Sequence, residues 1–211
     1  MTGRTPLSAD DAIRRLREGN RRFVTGISGH DQDWEHARRL DPRRAQRPIA
    51  IVLGCSDSRV PAELVFDQGL GDLFVIRVAG NIVSPSQVGS IEFAADQFGT
   101  RLVVVLGHSQ CGAIQASLAE RDQPSGNRSP NLAFIVNSIM PVLDAVQPEP
   151  GESRQALLAR AVRENIKASA QHLRQGSAIL EGLMRDEGLR VVCAEYSLET
   201  GVVDFFDGLN G

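Results

Sequence analysis

Four short runs of apolar residues, rich in β-branched side chains, divide the chain beyond residue 47. The runs are PIAIVLG (48 to 54), DLFVIRV (72 to 78), RLVVVLG (101 to 107) and LRVVCAE (189 to 195). Each run is too short for a helix, and continuous apolar runs are typical of strands that are buried on both faces. The four runs therefore predict a parallel sheet.

Stretches with helical spacing of apolar residues separate these runs. They lie at residues 86 to 99, 111 to 122 and about 131 to 187, the last interrupted by Pro148 and Pro150. The alternation predicts an α/β fold, with a mostly parallel β-sheet flanked by helices. Near the C-terminus, the turn residues 199 to 201 lie between two apolar runs and predict an edge hairpin.

The first 47 residues predict a helix followed by an arm. After Ser8, apolar residues recur at helical spacing as far as Phe23, which indicates an amphipathic helix ending near Gly26. Residues 27 to 47 are polar and lack a clean period, so we interpret them as an arm. We therefore divide the chain into an N-terminal helix and arm (1–47) and a single α/β domain (48–211).

Composition narrows the class of protein. The 211 residues are 42% hydrophobic and 23% charged, which supports one substantial domain and excludes a disordered chain. Three cysteines, an odd number, do not indicate a disulfide framework in a chain of this size. We find neither a signal-peptide pattern nor an apolar run of about 18 residues, so we expect a cytoplasmic protein with no membrane partner.

Charge is distributed unevenly along the chain. The first 50 residues carry 11 arginines and 7 acidic residues, whereas the rest carries 12 basic and 19 acidic residues. Opposite charges on the two parts favour self-association between copies, with the N-terminal arm serving oligomerisation. We expect no nucleic-acid partner, because no aromatic interleaving or recognised motif accompanies the arginines.

Cysteine and histidine follow two of the predicted strands. Cys55 comes directly after the first run, and His108 and Cys111 follow the third. Ligands in open α/β sheets bind at the carboxyl ends of the strands, so these side chains converge if the two strands are neighbours. Two thiolates and an imidazole suit zinc, and three protein ligands leave a fourth position open, as in catalytic sites. A catalytic pair of Cys55 and His108 is the alternative.

Two charged residues follow Cys55 on the same loop. A carboxylate such as Asp57, beside the guanidinium of Arg59, stays ionised and can accept a hydrogen bond at the open metal position. Asp57 is also near enough in sequence to enter that position itself, which would close the site. The alternative interpretation is a structural ion pair that only fixes the loop.

Four motifs resemble those of the β-class carbonic anhydrases in order and separation. They are GCSDSRV (54 to 60), RVAGN (77 to 81), IEFA (91 to 94) and GHSQCG (107 to 112). The resemblance implies one Zn²⁺ per subunit, held by Cys55, His108 and Cys111, with Asp57 as a ligand in a closed state only. It also implies a catalytic Asp57–Arg59 dyad in a zinc lyase that reversibly hydrates CO₂ to bicarbonate and a proton through a zinc-bound hydroxide.

The resemblance further implies a substrate pocket formed by Gln46, Phe74, Phe93 and Gly112. Gln46 matches a glutamine that the family contributes across a dimer interface to the neighbouring subunit's site. Phe74 matches an apolar wall residue, and Phe93 stands where tyrosine is common. Val52 replaces a tryptophan that helps some bacterial members hold an inhibitory bicarbonate, so the resemblance does not extend to that site. Family members form dimers, often paired into tetramers, and we expect a homodimer or homotetramer.

Two other functions remain open at this point. A related zinc hydrolase of CS₂ or COS could use the same scaffold and the same metal ligands. A non-catalytic protein that senses zinc or bicarbonate would also carry this metal site. The carbonic anhydrase, the hydrolase and the sensor would have similar metal sites. Turnover assays with CO₂, CS₂ and COS are therefore needed to distinguish them.

Overall fold

The computed structural model of the protein describes residues 7–27, 46–124, 126 and 128–209. Five strands form one sheet in the order β2-β1-β3-β4-β5. Their bounds are β1 (Ala50–Gly54), β2 (Leu73–Arg77), β3 (Leu102–His108), β4 (Arg190–Tyr196) and β5 (Val203–Asp207). The first four strands are parallel, and β5 is antiparallel to β4 at one edge. The predicted mostly parallel sheet with a C-terminal edge hairpin is confirmed.

Helices flank this sheet. They are α1 (Ala9–Thr25), α2 (Ala62–Val65), α3 (Pro85–Gln97), α4 (Gly112–Asp122), α5 (Pro130–Ala145), α6 (Arg154–Gln175) and α7 (Ala178–Asp186). The long helical region expected between 131 and 187 is three helices rather than two, because a second break falls at Gly176. Ser177 accepts a hydrogen bond from the N–H of Leu180 and so starts α7 as a separate helix.

The core lies in two layers, one on each face of the sheet. Every residue of β1 and β3 is buried, and successive side chains point to opposite faces. Ile51 and Leu53 pack towards the layer that includes α3 to α6, whereas Val52 packs towards α1 and α2. Within the described residues, no helix has both the length and the apolar character needed to cross a membrane.

The N-terminal helix α1 begins and ends as its sequence predicts. Ser8 accepts a hydrogen bond from the N–H of Asp11, and Gly26 ends the helix in the left-handed conformation, with φ of 69°. Asn20 joins α1 to α2 and to the turn before β5, since its Nδ2 donates to the carbonyls of Val65 and Gly201 at 3.1 and 2.8 Å. Most of the predicted arm, residues 28 to 45, lies outside the described residues.

Close packing of α1 against α2 predicts a large effect of one added methyl group. A Cβ at Gly19 would lie 1.8 Å from the carbonyl oxygen of Phe66, so we expect Gly19→Ala to destabilise the fold by at least about 2 kcal/mol. The matched control is Gly182→Ala in α7, whose Cβ would meet only the Arg185 guanidinium at 3.8 Å. This control should stabilise the fold by up to about 1 kcal/mol through helix propensity.

Urea denaturation measures the free energy of unfolding of both variants, provided that the slope of that free energy against urea concentration stays constant. Equal unfolding midpoints for the two variants would contradict the docking of α1 described above.

Candidate metal centre

Three predicted ligand side chains meet at the carboxyl ends of β1 and β3. The two strands pair in parallel, with Gly54 opposite Leu106, so Cys55 just beyond β1 and His108 at the end of β3 lie at the same edge of the sheet. The possible ligand atoms of Cys55, His108 and Cys111 all lie within 4.8 Å of one another, and all three residues are buried. The expectation that neighbouring strands bring these side chains together is met.

The short spacing between His108 and Cys111 results from a sharp turn. His108 is the last residue of β3, and Cys111 is the residue that precedes α4. Gln110 between them adopts a positive φ of 56°, which reverses the chain from strand to helix within three residues. Gly112, a predicted pocket residue, is the first residue of α4 and therefore adjoins the cluster.

The imidazole of His108 is oriented by its own loop. Its Nδ1 lies 2.9 Å from the carbonyl oxygen of Ser109, and because a carbonyl only accepts, Nδ1 must be the protonated nitrogen. Nε2 therefore presents a lone pair, and it is buried with no hydrogen-bond partner among the described residues. An unpaired buried acceptor is costly, and a metal ion would satisfy it.

The spacing of the two sulfur atoms fits zinc. Cys55 Sγ lies 4.0 Å from Cys111 Sγ. Tetrahedral zinc with Zn–S bonds of about 2.3 Å requires two sulfur ligands to be about 3.8 Å apart. The donor set, two sulfurs and one imidazole nitrogen, is also one that zinc prefers over harder cations.

The two thiols ionise very differently while they share a hydrogen bond. Their shared hydrogen bond is the main cause that lowers the pKa of Cys55, against the opposing effect of burial. The same hydrogen bond, together with burial, raises the pKa of Cys111. Burial lowers the pKa of His108, but the adjoining Cys55 thiolate, the Ser109 carbonyl and the Asp57 carboxylate together raise it by more, so the net shift is upward. The cluster therefore carries one thiolate and attracts a cation.

Asp57 and Arg59 form a two-point ion pair at the rim of this cluster. Nε and a terminal nitrogen of Arg59 donate to the two carboxylate oxygens of Asp57 at 2.9 and 2.7 Å. This pairing is the main cause that holds the pKa of Asp57 well below its usual range. Asp57 Oδ2 also lies 3.8 Å from His108 Nε2, so an ionised carboxylate stands beside the position of the metal.

Arg77 and Gly80 make hydrogen bonds at this cluster that the sequence did not predict. Arg77 donates from Nε to the carbonyl of Cys55 at 2.9 Å, and its terminal nitrogen donates to the carbonyl of Asp57. The N–H of Gly80 donates to Cys55 Sγ at 3.4 Å. Both residues belong to the RVAGN motif. The resemblance of this motif to the family is the sequence feature that could have identified them as part of the site.

The remaining predicted pocket residues lie far from the cluster in the same chain. Phe74 pairs with Ile51, four residues before Cys55, which corresponds to about 13 Å along the strand. Phe93 is 53% exposed, and its ring centroid is 6.3 Å from that of Phe74. Gln46 precedes β1 at the same amino end of the sheet. One chain therefore does not bring Gln46, Phe74 and Phe93 to its own metal ligands.

Comparison with known proteins agrees with this geometry. The sequence model of a family described as "Carbonic anhydrase" matches residues 50–203. A carbonic anhydrase of Mycolicibacterium smegmatis is 38% identical over 203 residues, covering 92% of this chain and 91% of the relative. A carbonic anhydrase of Pseudomonas aeruginosa is 35% identical and covers 77% of this chain and 75% of its own.

Solved structures extend the likeness to three dimensions. The β-carbonic anhydrase CcaA superimposes with a TM-score of 0.68 at 27% identity, covering 93% of this chain and 96% of that one. The β-carbonic anhydrase CafA of Aspergillus fumigatus has a TM-score of 0.70, with 89% and 91% covered, and at 24% identity it supports the fold alone. From the family match, the relatives and the fold together, the chain belongs to the β-carbonic anhydrase family.

Proposed function

We propose that this protein is a zinc-dependent carbonic anhydrase that reversibly hydrates CO₂ to bicarbonate and a proton. The observation that carries the proposal is the buried convergence of Cys55, His108 and Cys111, in which His108 Nε2 has no hydrogen-bond partner in the described part of the chain. The ionised carboxylate of Asp57 beside that nitrogen supports catalysis rather than a purely structural metal. Membership of the family supports the choice of CO₂ as substrate.

The protein's own residues would bind, orient and protect the reacting groups. Zinc, when bound, would lower the pKa of a water molecule to about 7 and so supply a nucleophile at neutral pH. Asp57, held ionised, accepts a hydrogen bond from that nucleophile and turns a lone pair towards CO₂. Arg59 engages both carboxylate oxygens, so Asp57 is held where it can orient the nucleophile. In the closed state, Asp57 would have to leave Arg59 before it could enter the open metal position.

Residues around the dyad keep its loop in place. Arg77 holds the carbonyls of Cys55 and Asp57 from the neighbouring strand, so the metal ligand and the carboxylate move together. Asp57 has 17% of its side chain exposed and Arg59 has 56%, which leaves the dyad open to solvent on one side. Bicarbonate and the released proton would leave by this side.

Removal of one thiol tests the metal site. We expect Cys111→Ala to lose stoichiometric zinc and nearly all CO₂ hydration, because two ligands hold zinc far more weakly than three. The matched control is Cys193→Ala, since Cys193 is also a buried free thiol and lies on β4 outside the cluster. Zinc content is measured by elemental analysis and hydration by stopped flow.

Each outcome of that experiment bears on the function. Full zinc and full activity in Cys111→Ala would refute the ligand assignment. Wild-type protein with stoichiometric zinc and no CO₂ hydration would favour a sensor, or a hydrolase of CS₂ or COS if those substrates are turned over instead.

Removal of the guanidinium tests the dyad. We expect Arg59→Ala to keep its zinc and to lose about 10- to 100-fold in kcat/KM, because Asp57 is no longer oriented. The control is Arg185→Ala, which removes a similar two-point pair with Asp186 on the exposed surface. Unchanged kcat/KM in Arg59→Ala would reduce the Asp57–Arg59 pair to a structural role.

A second copy of the chain would complete the substrate pocket. We propose that Gln46, Phe74 and Phe93 serve the site of a neighbouring subunit, since their own site lies about 13 Å or more away along β1. The exposed ring of Phe93, packed against Phe74 and Phe98, supports contact with a partner. A fold neighbour from Sordaria macrospora, 22% identical with a TM-score of 0.68, is described as tetrameric. The unequal charge of the N-terminal and C-terminal parts supports the same association.

Mixed dimers test whether Gln46 acts across the interface. Cys111→Ala and Gln46→Ala chains, each weakly active alone, should recover about half of the wild-type activity when co-expressed with different tags. The reason is that each mixed dimer would contain one site with intact zinc ligands and an intact partner Gln46. The removal of one polar donor from a catalytic site reduces kcat by about 10²-fold or more, so the recovery is measurable.

The control for this experiment pairs Cys111→Ala with Asp57→Asn. Both changes affect the site of the chain that carries them, so these mixed dimers should recover nothing. No recovery in the Gln46→Ala mixture would contradict a pocket shared between subunits.

We also propose a cytoplasmic location. The three cysteines are free thiols and all are buried, which suits a reducing compartment. The division into an N-terminal oligomerisation segment (1–47) and a catalytic domain (48–211) likewise stays a proposal.

A further inference from the structure

A backbone turn in a rarely used conformation lies beside the metal ligands. In the turn Ala79–Asn81, Gly80 has φ of 69° and Asn81 has φ of 44°. Left-handed φ is uncommon for a residue with a side chain and is unfavourable unless the surroundings maintain it. The turn is closed by a hydrogen bond from the N–H of Asn81 to the carbonyl of Val78 at 3.0 Å.

Two buried polar side chains of α6 hold this turn. Asn165 Nδ2 donates to the carbonyl of Gly80 at 2.8 Å, and Ser169 Oγ donates to the carbonyl of Asn81 at 2.9 Å. The two residues are four apart and so lie on one face of the helix. They are only 3% and 6% exposed and lie among the buried apolar residues of that face. Polar side chains are costly to bury in an apolar layer unless they form hydrogen bonds, so the bonds to the turn explain why these two residues are there.

The turn Ala79–Asn81 also contacts Cys55, one of the proposed metal ligands. The N–H of Gly80 donates to Cys55 Sγ at 3.4 Å, within the range of hydrogen bonds to sulfur. Glycine is favoured at position 80, because φ is positive there and a Cβ would lie 2.9 Å from Ile139 Cδ1 and 3.2 Å from Ala113 Cβ. The contacts form a continuous path from α6 through the turn to the sulfur of Cys55.

We propose that Asn165 and Ser169 are positioning residues that keep the Gly80 N–H directed at the Cys55 sulfur. This inference rests on the proposed zinc site. By fixing the carbonyls of residues 80 and 81, the two side chains prevent the turn from relaxing to a conformation in which that N–H points elsewhere. A hydrogen bond to a thiolate withdraws electron density from sulfur, so these residues tune the ligand without touching it.

The test compares metal binding and a spectroscopic signature in variants of α6. We expect Asn165→Ala and Ser169→Ala to weaken zinc binding about 10- to 100-fold in competition with a chromophoric chelator. In protein loaded with Co²⁺ instead, the sulfur-to-metal charge-transfer band should move to longer wavelength, because a thiolate without its hydrogen bond gives up electron density more easily. Ser169→Thr, which retains the hydroxyl, should behave as wild type.

A matched control isolates this effect from loss of stability. Thr100 is buried and its Oγ1 donates to the carbonyl of Pro48 at 2.9 Å, at the opposite end of the sheet. Thr100→Val removes the same kind of buried bond, and we expect its zinc affinity and Co²⁺ spectrum to match the wild type.

The outcomes separate this inference from the proposed function. If Asn165→Ala and Ser169→Ala match Thr100→Val in affinity and spectrum, the positioning role is overturned while the zinc site stands. If Asn165→Ala does not fold, the pair Ser169→Ala and Ser169→Thr decides by the same two measurements. Wild-type protein that takes up neither zinc nor Co²⁺ would overturn the proposed function itself, and this inference with it.

Discussion

The parallel pairing of β1 and β3 is the constraint on which the metal centre depends. Both strands are buried on both faces, so successive side chains pack alternately against the two layers of the core. A slip of one residue would turn every side chain of a strand to the opposite face. Cys55 would then point away from His108, and the three ligands would no longer converge. The packing of apolar side chains along the strands therefore determines how the three ligand side chains are arranged at the strand ends.

The cluster itself is unfavourable to bury, and this links metal binding to folding. It combines two buried sulfurs, a nearby carboxylate and an imidazole nitrogen to which none of the residues that the structure describes offers a hydrogen bond. A cation that binds only the folded chain stabilises it by an amount that grows with its affinity. Gly80 donates to the sulfur of Cys55 and Arg77 donates to its carbonyl, so the fold fixes this ligand before any cation arrives.

Much of the fold and the site could be predicted because the signals are local. The apolar runs, the Ser8 cap and the Gly26 stop each depend on a few neighbouring residues, and the ligands follow their strands directly. The contacts of Asn165 and Ser169 could not be predicted, since their partners lie 85 and 88 residues away in sequence. The separation of Phe74 from Cys55 also needed the strand register. The break before Ser177 was missed because Gly176 alone is a weak stop signal.

The bonds of Asn20 have a consequence for synthesis on the ribosome. Its side chain donates to the carbonyl of Gly201 and accepts from the N–H of Val203, both at 2.8 Å. The buried amide of Asn20 in α1 is therefore fully satisfied only when β5, some 180 residues later in the chain, has formed. One face of the sheet can reach its final packing only after residue 203 has left the ribosome. A nascent chain halted before residue 200 would keep α1 incompletely docked and exposed to chaperones.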